Sequence, residues 1–217
     1  VSANVDAGFS IVSYTGTGSN ATVGHGLSSS PEMIICKNRD AAPKDWRSYH
    51  TSLGNAQAIN LNQTTAAFAS TSSWNSTTPT STVFSIGGAS TVNGSSNSMI
   101  AYAFHSVESY SKVGTYTGNG STDGTFVYTG FRPAFVMIKK TSATGNWPIT
   151  NNKVLGYNPD NNELYANLSQ VEAASDSLDY LSNGFKLRRT SGEDNGSGQT
   201  YIFIAFAENP FKHTNAR

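Results

Sequence analysis

Apolar residues in this chain come in short runs divided by Gly, Asn, Ser and Thr, and nowhere do they keep a 3.6-residue period for the length of a full helix. Met33-Ile34-Ile35-Cys36 and Phe135-Val136-Met137-Ile138 are continuous, the pattern of central strands covered on both faces. Thr200-Tyr201-Ile202-Phe203-Ile204-Ala205-Phe206 is apolar after its first residue and too rich in aromatic side chains and Ile for a surface helix. With turn residues as boundaries, the pattern predicts strands over 9–15, 21–25, 32–38, 46–50, 57–62, 66–70, 81–86 and 98–106. A second set is predicted over 110–117, 125–129, 134–140, 147–150, 163–168, 184–189 and 200–208. Only Ser169–Asp179, acidic and Ala-rich, reads as a short helix or a loop.

The two sets are copies. Ser13-Tyr14-Thr15-Gly16-Thr17-Gly18-Ser19 returns 102 residues on as Thr115-Tyr116-Thr117-Gly118-Asn119-Gly120-Ser121. Pro31-Glu32-Met33-Ile34-Ile35-Cys36-Lys37 returns as Pro133-Ala134-Phe135-Val136-Met137-Ile138-Lys139. Trp46 matches Trp147, Leu53-Gly54 matches Leu155-Gly156, and Phe84 matches Phe185. Asn93-Gly94-Ser95 matches Asn195-Gly196-Ser197, and Ala103-Phe104 matches Ala205-Phe206. Asn209-Pro210-Phe211-Lys212 echoes the junction Ser109-Tyr110-Ser111-Lys112. Seven or eight short strands in about 100 residues fit a β-sandwich. The expected architecture is therefore all-β: two tandem duplicated antiparallel β-sandwich units, jelly-roll-like, over residues 1–108 and 109–217. One fused sandwich with pseudo-twofold symmetry is the alternative.

Composition agrees and narrows the partners. Ser, Thr and Asn make up about a third of the 217 residues, with 20 Gly, while 37% hydrophobic and 11% aromatic residues suffice for a core. Charge is sparse and balanced, 14 basic against 14 acidic residues, which argues against nucleic acid or an anionic membrane surface as partner. No apolar run reaches transmembrane length, so membrane insertion is not expected. The chain opens on Val1-Ser2-Ala3-Asn4 without Met or a signal peptide, as expected of part of a longer or processed protein.

Candidate chemistry is thin. Cys36 is the one cysteine; it lies inside an apolar run and is replaced by Ile138 in the second copy, so it reads as a small buried hydrophobe. His25, His50, His105 and His213 lack metal-ligand spacing, and the first three face Val127, Asn152 and Ala207 in the second copy. They read as surface or hydrogen-bonded structural histidines. The acids, Asp160, Glu163, Asp176/Asp179 and Glu193-Asp194 among them, sit mostly in polar loops, and none forms a DxDxDG calcium loop. Gly16-Thr17-Gly18 and Gly118-Asn119-Gly120 have no helix after them to complete a phosphate site and read as β-turns. No catalytic residue, metal or cofactor is expected. What remains is aromatic. Trp46, between Asp45 and Arg47, and Trp147, after Asn146, read first as core anchors because both copies keep them, and second as ligand platforms. Trp74, followed by Asn75, lies in the Ser/Thr-rich loop Thr71–Ser81 without an obvious counterpart and is the better candidate for stacking on a sugar.

The repeat unit resembles the repeat-bearing tail or fibre proteins of marine tailed phages. The resemblance rests on the two Tyr-Thr-Gly-x-Gly turns, on Pro31-Glu32-Met33-Ile34-Ile35 with Lys37-Asn38, and on Asp45-Trp46-Arg47-Ser48-Tyr49-His50-Thr51-Ser52-Leu53-Gly54. Gly130-Phe131-Arg132-Pro133-Ala134-Phe135-Val136 and Ala205-Phe206-Ala207-Glu208-Asn209-Pro210-Phe211-Lys212 complete it, covering the chain from about residue 8. It implies a virion component that closes a longer, homotrimeric polypeptide and meets a host cell-surface glycan or receptor and other virion proteins, without catalysis. The alternatives are a capsid-decoration or tail-assembly module and, third, a polysaccharide depolymerase.

Overall fold

The computed structural model describes residues 1–153, 158 and 161–210. Leu155-Gly156, Asp160, His213 and the echo at Phe211-Lys212 lie outside the described residues. The chain divides into two units, the first Val1–Ser106 and the second starting at Val107.

In the first unit the strands are β1 (Ser2–Asn4), β2 (Phe9–Thr15), β3 (Ala21–Gly24), β4 (Met33–Asn38), β5 (Arg47–His50), β6 (Gln57–Asn60), β7 (Phe68–Ala69), β8 (Val83–Ile86) and β9 (Ser98–Phe104). Two one-turn helices, α1 (Thr71–Trp74) and α2 (Ser90–Asn93), flank β8. Seven strands pair in the order β1-β2-β9-β4-β5-β6-β7, and β3 pairs with β8 alone. The two sheets close on Val12, Ile34, Cys36, Tyr49 and Ala101 from one side and Val23, Phe84 and Ile86 from the other, with Trp74 and Val92 from the helices. Met33, Ile34, Ile35 and Cys36 are all buried, as a continuous apolar run requires of a central strand.

The second unit repeats the plan with β10 (Ser111–Thr117), β11 (Phe126–Tyr128), β12 (Pro133–Lys140), β13 (Pro148–Asn151), β14 (Asn161–Tyr165), β15 (Ala173–Ser175), β16 (Leu178–Leu181), β17 (Gly184–Leu187) and β18 (Thr200–Ala207). Its sheets run β10-β18-β12-β13-β14-β15 and β11-β17-β16. Tyr116, Val136, Ile138, Tyr201 and Phe203 face Val127, Tyr180, Phe185 and Leu187 across the core. The fold is all-β and sandwich-like, with every strand pairing antiparallel.

Three features depart from the sequence reading. Strand β1 and the two helical turns were not expected. Ser169–Asp179, expected as a short helix or a loop, carries β15 and the start of β16 instead. Leu178 and Tyr180 point inward and are fully buried, and an extended strand is what places alternate residues on one face.

Hydrogen bonds repeat as faithfully as residues. Tyr14 Oη donates to Val92 O at 2.6 Å, and Tyr116 Oη donates to Asp194 O at 2.6 Å. Asn93 and Asn195 are fully buried and do the same work in each unit. Asn93 Oδ1 accepts from Thr17 N (2.6 Å) while its Nδ2 donates to Ser19 O (2.6 Å) and Gly87 O (2.9 Å). Asn195 Oδ1 accepts from Asn119 N (3.1 Å) while its Nδ2 donates to Ser121 O (2.8 Å) and Arg189 O (2.8 Å). Each amide thus bonds backbone groups of the turn that carries the chain from one sheet to the other. The turn glycines Gly18 (φ +71°) and Gly120 (φ +67°) supply the left-handed conformation that brings those groups to the amide.

Candidate functional site

The two duplicated tryptophans share one local frame. Trp46 N donates to Asn62 Oδ1 (2.9 Å) and Asn62 Nδ2 to Asp45 Oδ1 (3.0 Å). Trp147 N donates to Asn167 Oδ1 (2.9 Å) and Asn167 Nδ2 to Asn146 Oδ1 (2.8 Å). A lysine from the neighbouring central strand covers each ring. Lys37 Nζ bonds Lys44 O and lies 5.6 Å from the Trp46 centroid; Lys139 Nζ bonds Gly145 O and lies 5.9 Å from that of Trp147. Trp147 is 1% exposed, which leaves no face for a ligand, and Lys139 is buried with it. Burial lowers the Lys139 ammonium to about 8, against the opposing pull of Glu193. Trp46 is half-buried and stacks on Tyr102. Asp45 is held by amides from Asn60, Asn62 and Gln63, so its carboxylate is committed to the loop.

Trp74, the expected sugar platform, is 1% exposed and packs edge-on against Tyr49 at 5.7 Å. A Ser/Thr-rich stretch suggested a wet loop, but a single turn of helix rolls this ring into the core. Asn75 then ends the turn in the left-handed region, φ 50° and ψ 33°, which Asn tolerates better than most residues. The second unit fills the same place differently: Tyr180 Oη donates to Thr150 Oγ1 at 2.8 Å. Arg47 points away from Trp46 and ties β5 to α1, donating to Ser70 Oγ and Ser73 Oγ at 3.1 Å each and lying 4.8 Å over Phe68. Of the seven residues picked from sequence, then, Asp45 and Trp46 share one spot, Arg47, Trp74 and Asn75 another, and Asn146 and Trp147 a third.

Several of the acids and three of the histidines are held in bonds within the fold. Arg189 gathers Asp194 (both oxygens at 3.0 Å) and Glu163 (2.9 and 3.3 Å) on one guanidinium. Tyr165 and Ser177 donate to these carboxylates, and Arg189 also reaches Ser175. Glu163 and Asp194 are 4% and 0% exposed, so the cluster is a buried brace with no opening for a polysaccharide. Its place in the first unit is apolar. Gly87 stands where Arg189 does, with Ser72 O only 2.2 Å from where a Cβ would be, and Val92 stands where Asp194 does. Asp179 pairs with Arg188 (2.7 Å), and Glu193 accepts from Asn146 N (2.7 Å). His25, His50 and His105 are buried and hydrogen-bonded rather than at the surface. Among the described residues, no group of three or more His, Cys, Asp or Glu could hold a metal ion. No described helix is long and apolar enough to cross a membrane.

The feature that sequence reasoning missed is on β11. Phe126 and Tyr128 flank the buried Val127 and are 44% and 65% exposed, so both rings project from the outer face of the small sheet. Across the ladder Phe126 faces Lys186 and Tyr128 faces Gly184. The Phe126 ring leans over the glycine, within 3.0 Å of where a Cβ would be. Beside the rings, Lys186 pairs with Asp123 (2.5 Å) and Arg188 with Asp179, which leaves polar groups of balanced charge around an aromatic centre. In the first unit the same two outward positions hold Thr22 and Gly24. The signal was the alternation of Phe126-Val127-Tyr128 in the sequence; in the structure Val127 pairs with Phe185 as buried Val23 pairs with Phe84.

A family profile described as "Domain of unknown function (DUF7483)" matches residues 1–210. No curated protein and no solved structure matches the chain.

Proposed function

The chain belongs to that family of domains of unknown function, and we propose that it is a non-enzymatic attachment module of a phage virion that holds host-surface glycan on the outer face of its second unit. The observation that carries this reading is the exposed Phe126–Tyr128 pair among balanced charges. A sugar ring offers one apolar C–H face and a rim of hydroxyls, which calls for an aromatic platform beside polar groups that bear little net charge. Zero formal charge suits attachment in salt water, where ions screen any long-range attraction. Weak single contacts add up in a homotrimeric fibre through effective concentration. The resemblance to marine phage tail and fibre repeats supplies the virion context.

The test is retention of the labelled chain on marine bacterial cells and on a glycan array, with and without Tyr128→Ala. Tyr128 is a surface side chain, so its truncation leaves stability within about 0.5 kcal/mol. Retention falls at least tenfold in the variant if the face binds glycan. Equal retention of both proteins, or none of either, overturns the reading.

A further inference from the structure

In the first unit, Arg47 is a cation held by hydroxyls rather than by acids. Its Nη1 donates to Ser70 Oγ and Ser73 Oγ at 3.1 Å each, which spends both protons of that nitrogen. The two hydroxyls lie 2.7 Å apart and Phe68 covers the guanidinium at 4.8 Å, so the group is fixed between β5 and α1. Its other edge is different. Nε is buried and has no partner among the described residues. Nη2, on the same edge, also makes no bond to them.

The corner where β5 meets α1 is short of acceptors. Trp74 Nε1, one residue along from Ser73, is a second buried donor without a partner. Asp45, the acid beside Arg47 in sequence, is taken up by the amides of Asn60, Asn62 and Gln63. Burial lowers the Arg47 pKa, and Asp45 offsets that only in part. A native fold rarely leaves a buried donor unanswered, and a charge withdrawn from water needs a counter-charge. Water would bond Nε but would leave the charge unpaired.

The second unit shows what an arginine takes in this fold. Arg189 meets carboxylates on both edges, Asp194 at Nε and Glu163 at Nη1 and Nη2. The place of Arg47 itself is held there by Pro148. Leu61 N bonds Trp46 O as Ala166 N bonds Trp147 O, and the next residue is Arg47 in one unit and Pro148 in the other. The unanswered edge therefore belongs to the first unit alone.

We propose that the β5–α1 corner of the first unit binds an oxyanion, held by Nε and Nη2 of Arg47 while Ser70 and Ser73 fix the guanidinium from its other edge. Two parallel N–H groups match two oxygens of one carboxylate, sulfate or phosphate group. Arg47 is half-buried rather than sealed in, so such a group reaches the edge from the surface. This site is independent of the aromatic face of the second unit, and either can fail without the other.

The probes are sodium sulfate, acetate and glucuronate, titrated at constant ionic strength against sodium chloride into the ¹⁵N-labelled chain. The readout is the Arg47 Nε–Hε resonance, which Arg47→Lys identifies by its loss. The expected result is a saturable shift and slower Hε exchange at Arg47, with the exposed Arg39 unmoved. Chloride, which offers no pair of oxygens, gives no saturation. Glucuronate binding tighter than acetate assigns the anionic group to a sugar, and equal binding assigns it to the bare ion. As a second measurement, sulfate at about ten times its dissociation constant raises the folding equilibrium constant about elevenfold in urea unfolding, and Arg47→Met removes that gain. The proposal is overturned if the Arg47 shift tracks that of Arg39 or rises linearly with every salt alike, since water is then the partner of Nε. It is also overturned if sulfate stabilises Arg47→Met as much as the parent. The titration uses the native chain and stands even if Arg47→Met fails to fold.

Discussion

Replacing Asn93 by Asp changes one atom of a buried side chain and tests whether the duplicated amide holds each unit together. The carboxylate keeps the acceptor for Thr17 N but loses both donations, leaving its second oxygen where Nδ2 stands 2.6 Å from Ser19 O and 2.9 Å from Gly87 O. Gly87 O is then a buried acceptor left unpaired, at a cost of about 1–3 kcal/mol before any repulsion between oxygens, whereas Ser19 O lies at the surface and keeps the Thr17 hydroxyl at 2.8 Å. Against a typical total of about 5–15 kcal/mol, that loss is readily measured in the first unit. Protonation restores one donation, so the carboxyl in the folded variant holds its proton to higher pH than in the unfolded chain. The sign follows: folding takes up a proton, and the deficit shrinks as pH falls. Urea unfolding of Asn93→Asp and the parent at pH 7 and pH 4.5, followed by tryptophan fluorescence, measures both effects. Asn195→Asp should behave alike in the second unit. A loss under about 1 kcal/mol at pH 7, or a deficit that does not shrink in acid, would refute the assignment.

Two further outcomes follow from the same kind of reasoning. Arg189→Met strands the buried Glu163 and Asp194 without their cation and should cost about 3–5 kcal/mol in urea unfolding of the second unit; unchanged stability would mean the brace is idle. Burial raises the phenols of Tyr14, Tyr116, Tyr180 and Tyr201 above their ordinary value of about 10, so the unfolded chain loses these protons first and stability falls as pH climbs past about 10. Ultraviolet titration should show these phenols ionising only as the fold opens, and phenolate forming near pH 10 in an intact fold would contradict this.

Much of the fold was legible because it is written in turns and strands. The continuous runs at Met33–Cys36 and Phe135–Ile138 became central strands, and the Tyr-Thr-Gly-x-Gly repeat became the turn that each buried Asn seals. The site was less legible, for a physical reason. Exposure of an aromatic depends on which way one turn of backbone rolls it, and Trp74 among serines and threonines gives no local sign that Tyr49 waits beneath it. Composition of the loop was the wrong guide. Strand alternation was the right one, since a buried Val127 forces Phe126 and Tyr128 outward whatever their polarity. Ser169–Asp179 misled similarly: its acids and alanines favour helix, but inward Leu178 and Tyr180 gain more from the core than the segment loses in propensity.

Duplication also tells where this chain was free to change. Groups that close the sandwich are kept in both copies: the sealing Asn, the tyrosine bonded to the backbone one residue before it, and the lysine over its tryptophan. Divergence concentrates on the small sheet and its flank. Phe126 and Tyr128 replace Thr22 and Gly24, Thr125 replaces Ala21, and the Arg189 brace replaces Gly87 and Val92. These changes are linked by space. With α1 in place, residue 87 has no room for a side chain; with β15 and β16 in its stead, Arg189 enters and needs buried carboxylates to neutralise it. The small sheet thereby gains a third strand and a broader outer face, on which β11 can display two rings. The first unit keeps two strands there instead. One scaffold thus yields two different outer faces: Phe126 and Tyr128 on a three-stranded sheet in the second unit, and Thr22 and Gly24 on a two-stranded one in the first.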